Sequence, residues 1–367
     1  MMHASILNSL YCDQQSNRQT SIVLQRTIYK RDMTEDIPAV SHLSVAVTTE
    51  ESSNVQITDG KSMASSSSVD LELYFRWAVV VIGVVGTAAN AVVLYALFAS
   101  KQHKKHLLIV NQNALDLFSS FFVVITYSLK LCNLHLTGVV GYWLCMLLLS
   151  ENFIWWGITG SITNLAAITV DRYLIVVHHT WSKKYLRPWV IHLAMAVCWL
   201  TGIVVTTPIV FVASRVIDGV CYTSMFFNSN LELVASMTWY IMFFYVITIA
   251  IFIFCYGRIL ITVRHQARVM ASHSGPSTSQ SQSNQIKFSV IKTMIIVCAF
   301  FAVAWLPIHV YNVQFMINVD VTFVDGRYYA SLFIAFFYSC TNPFVYVAKF
   351  DPVKKILKDI IPCKNYG

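Results

Sequence analysis

Residues Trp77–Phe98 read WAVVVIGVVGTAANAVVLYALF, a run of 22 without a charged side chain. About 20 such residues cross a bilayer core of about 30 Å when each adds about 1.5 Å along a helix. Six more runs of at least 19 residues follow, Leu107–Ser128, Asn152–Val170, Trp189–Ser214, Leu233–Gly257, Thr293–Val319 and Tyr328–Ala348, interrupted once, by Asp116. Water does not reach hydrocarbon, so each run must satisfy its backbone groups internally, as a helix. A soluble all-α protein accommodates one such helix. Seven in succession predict an all-α membrane protein, a seven-transmembrane helix bundle over residues 73–349.

Composition agrees. The chain is 56% hydrophobic and 12% charged, against roughly 25% charged in an average soluble domain. Its net charge of +8 is distributed by topology. The loops after runs one, three and five and the C-terminal tail hold 17 Lys and Arg, whereas the alternate loops hold three, Lys130, Arg215 and Arg327. The positive-inside rule then places the C-terminus in the cytoplasm and the N-terminus outside, in a multi-pass protein of the plasma membrane. Basicity of this kind reflects topology and attraction to anionic lipid, and predicts no nucleic-acid binding.

Residues 1–72 are mixed in charge and end in a serine patch, Ser65–Ser68, which predicts a disordered extracellular segment. No apolar stretch of signal-peptide type follows Met1, so the first run is expected to serve as signal anchor; Met33 and Met63 are alternative starts. The Ser- and Gln-rich stretch 264–287 reads as a flexible cytoplasmic linker. After run seven, Asp351 and Pro352 start a helix in which Phe350, Val353, Leu357 and Ile360 oppose Lys354, Lys355 and Lys358. That amphipathic helix, within 350–367, should lie along the inner leaflet, with Cys363 as a lipidation candidate or a plain thiol.

Of the nine cysteines, Cys198, Cys255, Cys298 and Cys340 read as small buried hydrophobes within runs. Cys145 and Cys221 both face the oxidising side, where a disulfide between them would tie a loop to the bundle; Cys132 and Cys12 are outside as well and leave other pairings open.

Polar residues at membrane depth are costly, about 2.5–3.5 kcal/mol for an ionisable side chain, and so are functional candidates. Asp116 lies mid-run, with Asn90, Ser161, Ser339 and Asn342 as candidate partners in other runs. Such oxygens can hold a hydrated Na⁺ or a proton, whereas the simpler reading is polar glue between helices. Glue is the expectation for Asn90 and an ion site the expectation for Asp116. At the inner end of run three, Asp171-Arg172-Tyr173 sets an arginine beside an acid, a pair that can close and release as a switch. Run six carries Phe301, Trp305 and Pro307, and run seven carries Asn342, Pro343 and Tyr346. Each proline removes a backbone hydrogen bond and makes a pivot.

In order and in helix, Asn90, Leu115-Asp116, Asp171-Arg172-Tyr173, Trp199, Phe301 with Trp305-Leu306-Pro307, and Asn342-Pro343 with Tyr346 resemble the signature of rhodopsin-like (class A) G-protein-coupled receptors. The resemblance covers residues 73–363. It implies an extracellular ligand, opening of the cytoplasmic face to a heterotrimeric G protein with Arg172 and Tyr346 rearranging, and recognition by arrestin and receptor kinases. It also implies that Trp143 and Cys145 form the Trp-x-Cys at the top of the third helix, bonded to Cys221, and that Tyr256 joins Arg172 in the active state. Three departures stand out: Thr248 where run five usually has proline, Ala304 before Trp305, and a 27-residue interval from Cys145 to Arg172 that is about two longer than usual. The first puts the usual bulge of run five in doubt, and the last predicts a bulge or longer loop at the outer end of run three.

For the ligand, Asn152-Phe153-Ile154-Trp155-Trp156 offers no amine counter-ion, unless the offset brings Glu151 into that role; the competing expectation is a carboxylate snorkelling to the interface. Run seven has Phe336 at the retinal-lysine position and no lysine at all, so no retinal is expected, and no cofactor other than Na⁺. Trp155, Trp156, Trp239, Trp305, His309 and Tyr338 are candidate pocket residues, although aromatic residues in such runs usually serve as core or interface belt. The loop from Arg215 to Glu232 has a length that suits a peptide-binding hairpin, the stretch from Asp171 to His179 is similar to that of peptide receptors, and a peptide is the expected ligand. A decoy or scaffold receptor is the alternative. A transporter is disfavoured because no internal repeat is visible, and an enzyme because no catalytic constellation is found at depth.

Overall fold

A computed structural model describes residues 59–349 apart from 105, 133, 224–229, 273–277 and 318–325. The chain divides into two units, Met1–Ile57 and Thr58–Gly367. The first unit, the expected amphipathic helix at 350–363 and Cys363 lie outside the described residues, as does the side chain of Tyr346.

The elements in chain order are α1 (Asp59–Ala99), α2 (Leu107–Leu131), α3 (Gly138–Leu144), α4 (Asn152–Val177), α5 (His179–Tyr185), α6 (Pro188–Ala213), β1 (Arg215–Ile217), β2 (Val220–Tyr222), α7 (Asn230–Ile241), α8 (Ile247–Ser272), α9 (Thr278–Ile317) and α10 (Gly326–Lys349). Among the described residues, six stretches are long and apolar enough to cross a membrane: Asp70–Ala99, Leu107–Leu131, Gly138–Val177, Pro188–Ala213, Leu231–Gln266 and Ile295–Ile317. Helix α4 packs on α2, α6 and α8, while α1 packs on α2 and α10, and α10 on α9. Burial is inverted relative to a water-soluble bundle. Val204, Ile253 and Val303 are exposed, while Asn111, Gln112, Asn113, Asp116 and Asn164 are buried. A lipid solvent imposes this pattern, since polar groups must find partners inside.

Two sequence expectations are corrected here. The serine patch Ser65–Ser68 is part of α1, which starts at Asp59. The linker expected at 264–287 is helical over most of its length, because α8 runs to Ser272 and α9 starts at Thr278. In both places the helix of the adjoining span propagates into polar sequence, since extending a formed helix adds one hydrogen bond per residue without a new nucleation step.

Spans three and five are each interrupted by a π-helical turn. In span three the turn Cys145–Leu149 follows α3. Ser150 N then donates to Cys145 O at 2.9 Å and Glu151 N to Leu148 O at 2.8 Å, before α4 restarts. Glu151 itself is left-handed, with φ 65°. A π turn holds more residues than an α turn, so the long interval between Cys145 and Arg172 is absorbed here. In span five the turn Met242–Val246 joins α7 to α8. The bulge placed in doubt by Thr248 therefore forms without a proline.

The loop after α6 is a hairpin whose turn, Asp218-Gly219, has positive φ at both residues, 50° and 74°. Asp-Gly is the sequence signal for such a turn. Cys145 and Cys221 are disulfide-bonded, with Cα atoms 5.4 Å apart, and Leu136 N donates to Gly219 O at 2.8 Å. The hairpin is thereby fixed over the end of the bundle at which span three begins.

Candidate functional site

Four helices contribute to a buried polar centre around Asp116. Its Oδ1 accepts from the Ser161 hydroxyl at 2.6 Å. Its Oδ2 accepts from Asn342 Nδ2 at 2.9 Å and Gln112 Nε2 at 3.3 Å. Gln112 Nε2 also bonds Ser161, while Gln112 Oε1 accepts from Asn164 Nδ2 at 2.9 Å. Beyond it, Asn111 Nδ2 donates to Asn164 Oδ1 at 2.9 Å and Trp199 Nε1 to Asn111 Oδ1 at 3.0 Å. One chain of hydrogen bonds thus runs from α6 through α2 and α4 to α10. Asn90 Nδ2 instead bonds Gly86 O in its own helix at 2.9 Å, and Ser339 lies with Ser119, Ser120 and Cys340 around a narrow gap.

Near the C-terminal end of α4, Arg172 Nε lies 3.6 Å from Asp171 Oδ2. Tyr173 Oη is 3.0 Å from His178 Nε2. The Tyr256 hydroxyl is 3.3 Å from Thr169 Oγ1, three residues before Arg172.

In mid-bundle, Trp305 and Phe301 are fully buried. Trp305 meets the Phe244 ring at 4.8 Å, Trp155 at 6.3 Å and His309 at 6.1 Å, while Tyr338 packs on Phe301 at 5.7 Å. Pro307 and Pro343 lie inside continuous helices. Just before Pro307, Ala302 O accepts from the Tyr245 hydroxyl at 2.8 Å, which links this hinge to the π turn of span five.

Toward the hairpin end of the bundle lies a cavity of about 130 Å³, lined by Glu151, Trp155, Thr206, Tyr240, Asn312 and Tyr328 among others. Glu151 is turned inward, correcting the snorkelling expectation. It accepts from Lys130 Nζ, from the Tyr127 hydroxyl at 2.9 Å and from Trp155 Nε1 at 3.2 Å. Trp305, His309 and Tyr338 form an aromatic layer beneath rather than the wall. Two candidates point elsewhere. Trp156 Nε1 donates to Trp199 O at 2.7 Å, toward α6, and Trp239 is 56% exposed, stacked on Phe243. The two successive tryptophans sit about 100° apart around the helix, so only Trp155 can face the cavity.

The family model for 7 transmembrane receptors (rhodopsin family) matches residues 89–346. The chain belongs to this family of class A G-protein-coupled receptors. The receptor is 25% identical to the mouse (Mus musculus) melatonin receptor type 1B over 193 residues, 52% of this chain and 51% of that one. It is 28% identical to galanin receptor 2b of Danio rerio over 288 residues, 76% and 72% of the two chains. It is 26% identical to mouse somatostatin receptor type 2 over 208 residues, 55% and 54%. The chain spans about half the length of the melatonin receptor that it matches. As a member of this family it is a multi-pass membrane receptor and not an enzyme.

Three residues of the receptor's polar centre, Asn111, Gln112 and Asn164, escaped the motif reading. Helical spacing contained the signal: Gln112 precedes Asp116 by four residues and Asn164 follows Ser161 by three, so each pair shares a helix face. A stretch that is apolar on average hides amides unless each polar residue is projected onto the face of its neighbours.

Proposed function

We propose that this receptor binds an extracellular peptide and activates heterotrimeric G proteins by opening its cytoplasmic face. In this reading α10 completes the bundle as the seventh span, the N-terminus lies outside the plasma membrane and the C-terminus in the cytoplasm, and arrestin and receptor kinases recognise the open state. The observation that carries it is the closed Asp171–Arg172 pair at 3.6 Å, at the opposite end of the bundle from the cavity. The hinge at Trp305 and Pro307 connects the two. The π turn of span five, which forms without a proline, supports a signalling receptor over a decoy.

Cavity size supports a peptide. Sites for whole drug-sized ligands run about 300–1,000 Å³, so 130 Å³ suits one side chain of a ligand bound mainly outside. The side chain should be uncharged, since Lys130, Tyr127 and Trp155 already engage the Glu151 carboxylate. The pinned hairpin supplies strand edges on which an extended chain can align. The test is G-protein activation in cells expressing the receptor, across G-protein subtypes, without ligand and against peptide and small-molecule libraries. A peptide response lost in Arg172→Ala supports the reading, and silence with surface expression counts for a decoy.

A further inference from the structure

Asp116 is the one acidic side chain in span two, and the oxygens around it made it a candidate Na⁺ site in the sequence. The arrangement of donors argues otherwise. A bound cation takes up oxygen lone pairs, whereas the groups that reach Asp116 present hydrogens. Oδ1 accepts from Ser161 at 2.6 Å, and Oδ2 from Asn342 at 2.9 Å and Gln112 at 3.3 Å. The Ser161 oxygen, a second potential ligand, accepts from the same Gln112 amide. Both hydrogens of Gln112 Nε2 are therefore directed at oxygens that a cation between Asp116 and Ser161 would need.

The orientation of that amide is fixed from behind. Gln112 Oε1 accepts from Asn164 Nδ2 at 2.9 Å, and Asn164 Oδ1 accepts from Asn111, which is held in turn by Trp199. Turning the amide over would set its NH₂ against the NH₂ of Asn164 and its carbonyl against the carboxylate. Gln112 and Asn164 are both fully buried, so water cannot compensate for such a reversal. Two of the residues expected around the ion also make no hydrogen bond to this centre: Asn90 donates its Nδ2 to Gly86 O in its own helix, and Ser339 lines the neighbouring gap.

We propose that the side-chain amide of Gln112 occupies the position of the cation between Asp116 and Ser161, so that this receptor is insensitive to sodium. The α2–α4–α10 junction is locked by a resident side chain instead of an exchangeable ion. A ligand that widens the centre works against a fixed hydrogen-bond network whose strength does not follow the external sodium concentration.

The experiment is thermal unfolding of the purified receptor in sodium chloride and in choline chloride at equal ionic strength, for the wild type, Gln112→Ala and Asp116→Asn. The wild type should unfold at the same temperature in both salts. Gln112→Ala removes the amide and leaves room beside Asp116, so it should gain a sodium-specific rise in Tm that saturates with concentration, as binding to the folded state requires. A sodium-specific rise in the wild type that Asp116→Asn abolishes would overturn the proposal. So would a Gln112→Ala variant that folds and shows no sodium response, because the insensitivity would then have another cause. If Gln112→Ala does not fold, the wild-type and Asp116→Asn pair still decides.

Discussion

Lys130, in the last turn of α2, sets its ammonium on the carboxylate of Glu151, the left-handed residue at which span three breaks. The pair joins two spans at the rim of the cavity, and the Lys130 ammonium also lies 4.8 Å from the Tyr127 ring centroid. Side-chain exposure is 20% and 14% for the two partners, so each charge depends on the other.

Lys130→Ala should therefore destabilise the receptor more than Glu151→Gln, since it leaves an uncompensated carboxylate among Tyr127 and Trp155. Breaking a fully buried pair costs about 3–5 kcal/mol, and partial exposure should reduce this to about 2 kcal/mol. The double variant should recover most of that loss. Thermal unfolding of all four combinations in detergent checks the cycle, and additive losses would show that the pair contributes nothing.

Arg172→Ala should abolish G-protein activation while surface delivery stays near wild type. The arginine is in the last turns of α4 and is not itself part of the main hydrophobic core, and its ion pair with Asp171 is partly exposed. Surface immunostaining measured alongside G-protein activation separates loss of the switch from loss of folding.

Cys221→Ser should free the hairpin from span three. The bond closes a separation of 76 residues, and removing a native disulfide typically costs about 2–5 kcal/mol. Peptide binding should fall with it, and a mild reductant applied to intact cells should reproduce the effect on the wild type. Unaltered binding after complete reduction would mean that the hairpin takes no part in ligand capture.

Gly202→Val tests the fit of α6 on α4. A Cβ at Gly202 would lie 2.1 Å from Trp156 Cδ1 and 2.4 Å from its carbonyl oxygen, so the helices must separate. Overpacking of this kind costs about 1–3 kcal/mol, expected as a lower Tm and reduced surface expression. A Tm equal to wild type would show that Trp156 moves aside freely.

Asn111→Ala should cost about 1 kcal/mol, the scale of interhelical hydrogen bonds in membranes. It leaves Trp199 Nε1 without its acceptor and Asn164 Oδ1 with only the Cys198 thiol, at 3.9 Å, as donor. A Trp199→Phe partner variant should be less than additive with it in thermal unfolding.

Legibility differed between fold and site. The apolar runs and the prolines were visible because each acts through local chemistry: length against bilayer thickness, or a missing N–H. Motif order made Asp116, Arg172, Trp305 and Asn342 visible as well. The π turn at Met242–Val246 was not, because its usual marker, a proline, is replaced by Thr248, and a π turn without proline leaves no residue signature. Nor did the sequence separate Trp155 from Trp156, identical neighbours that face a cavity and another helix.

By itself the sequence determined the membrane class, the long apolar helices and the alternation of basic charge between loops, since all three follow from how each segment partitions between water and lipid. Only the tertiary structure decided who answers Asp116 and Glu151. Partitioning drives a polar side chain to seek a partner inside the bundle, but the partner depends on helix rotation and on the register left by two π turns. A rotation of one residue would have given Asp116 to other neighbours and put Gln112 elsewhere.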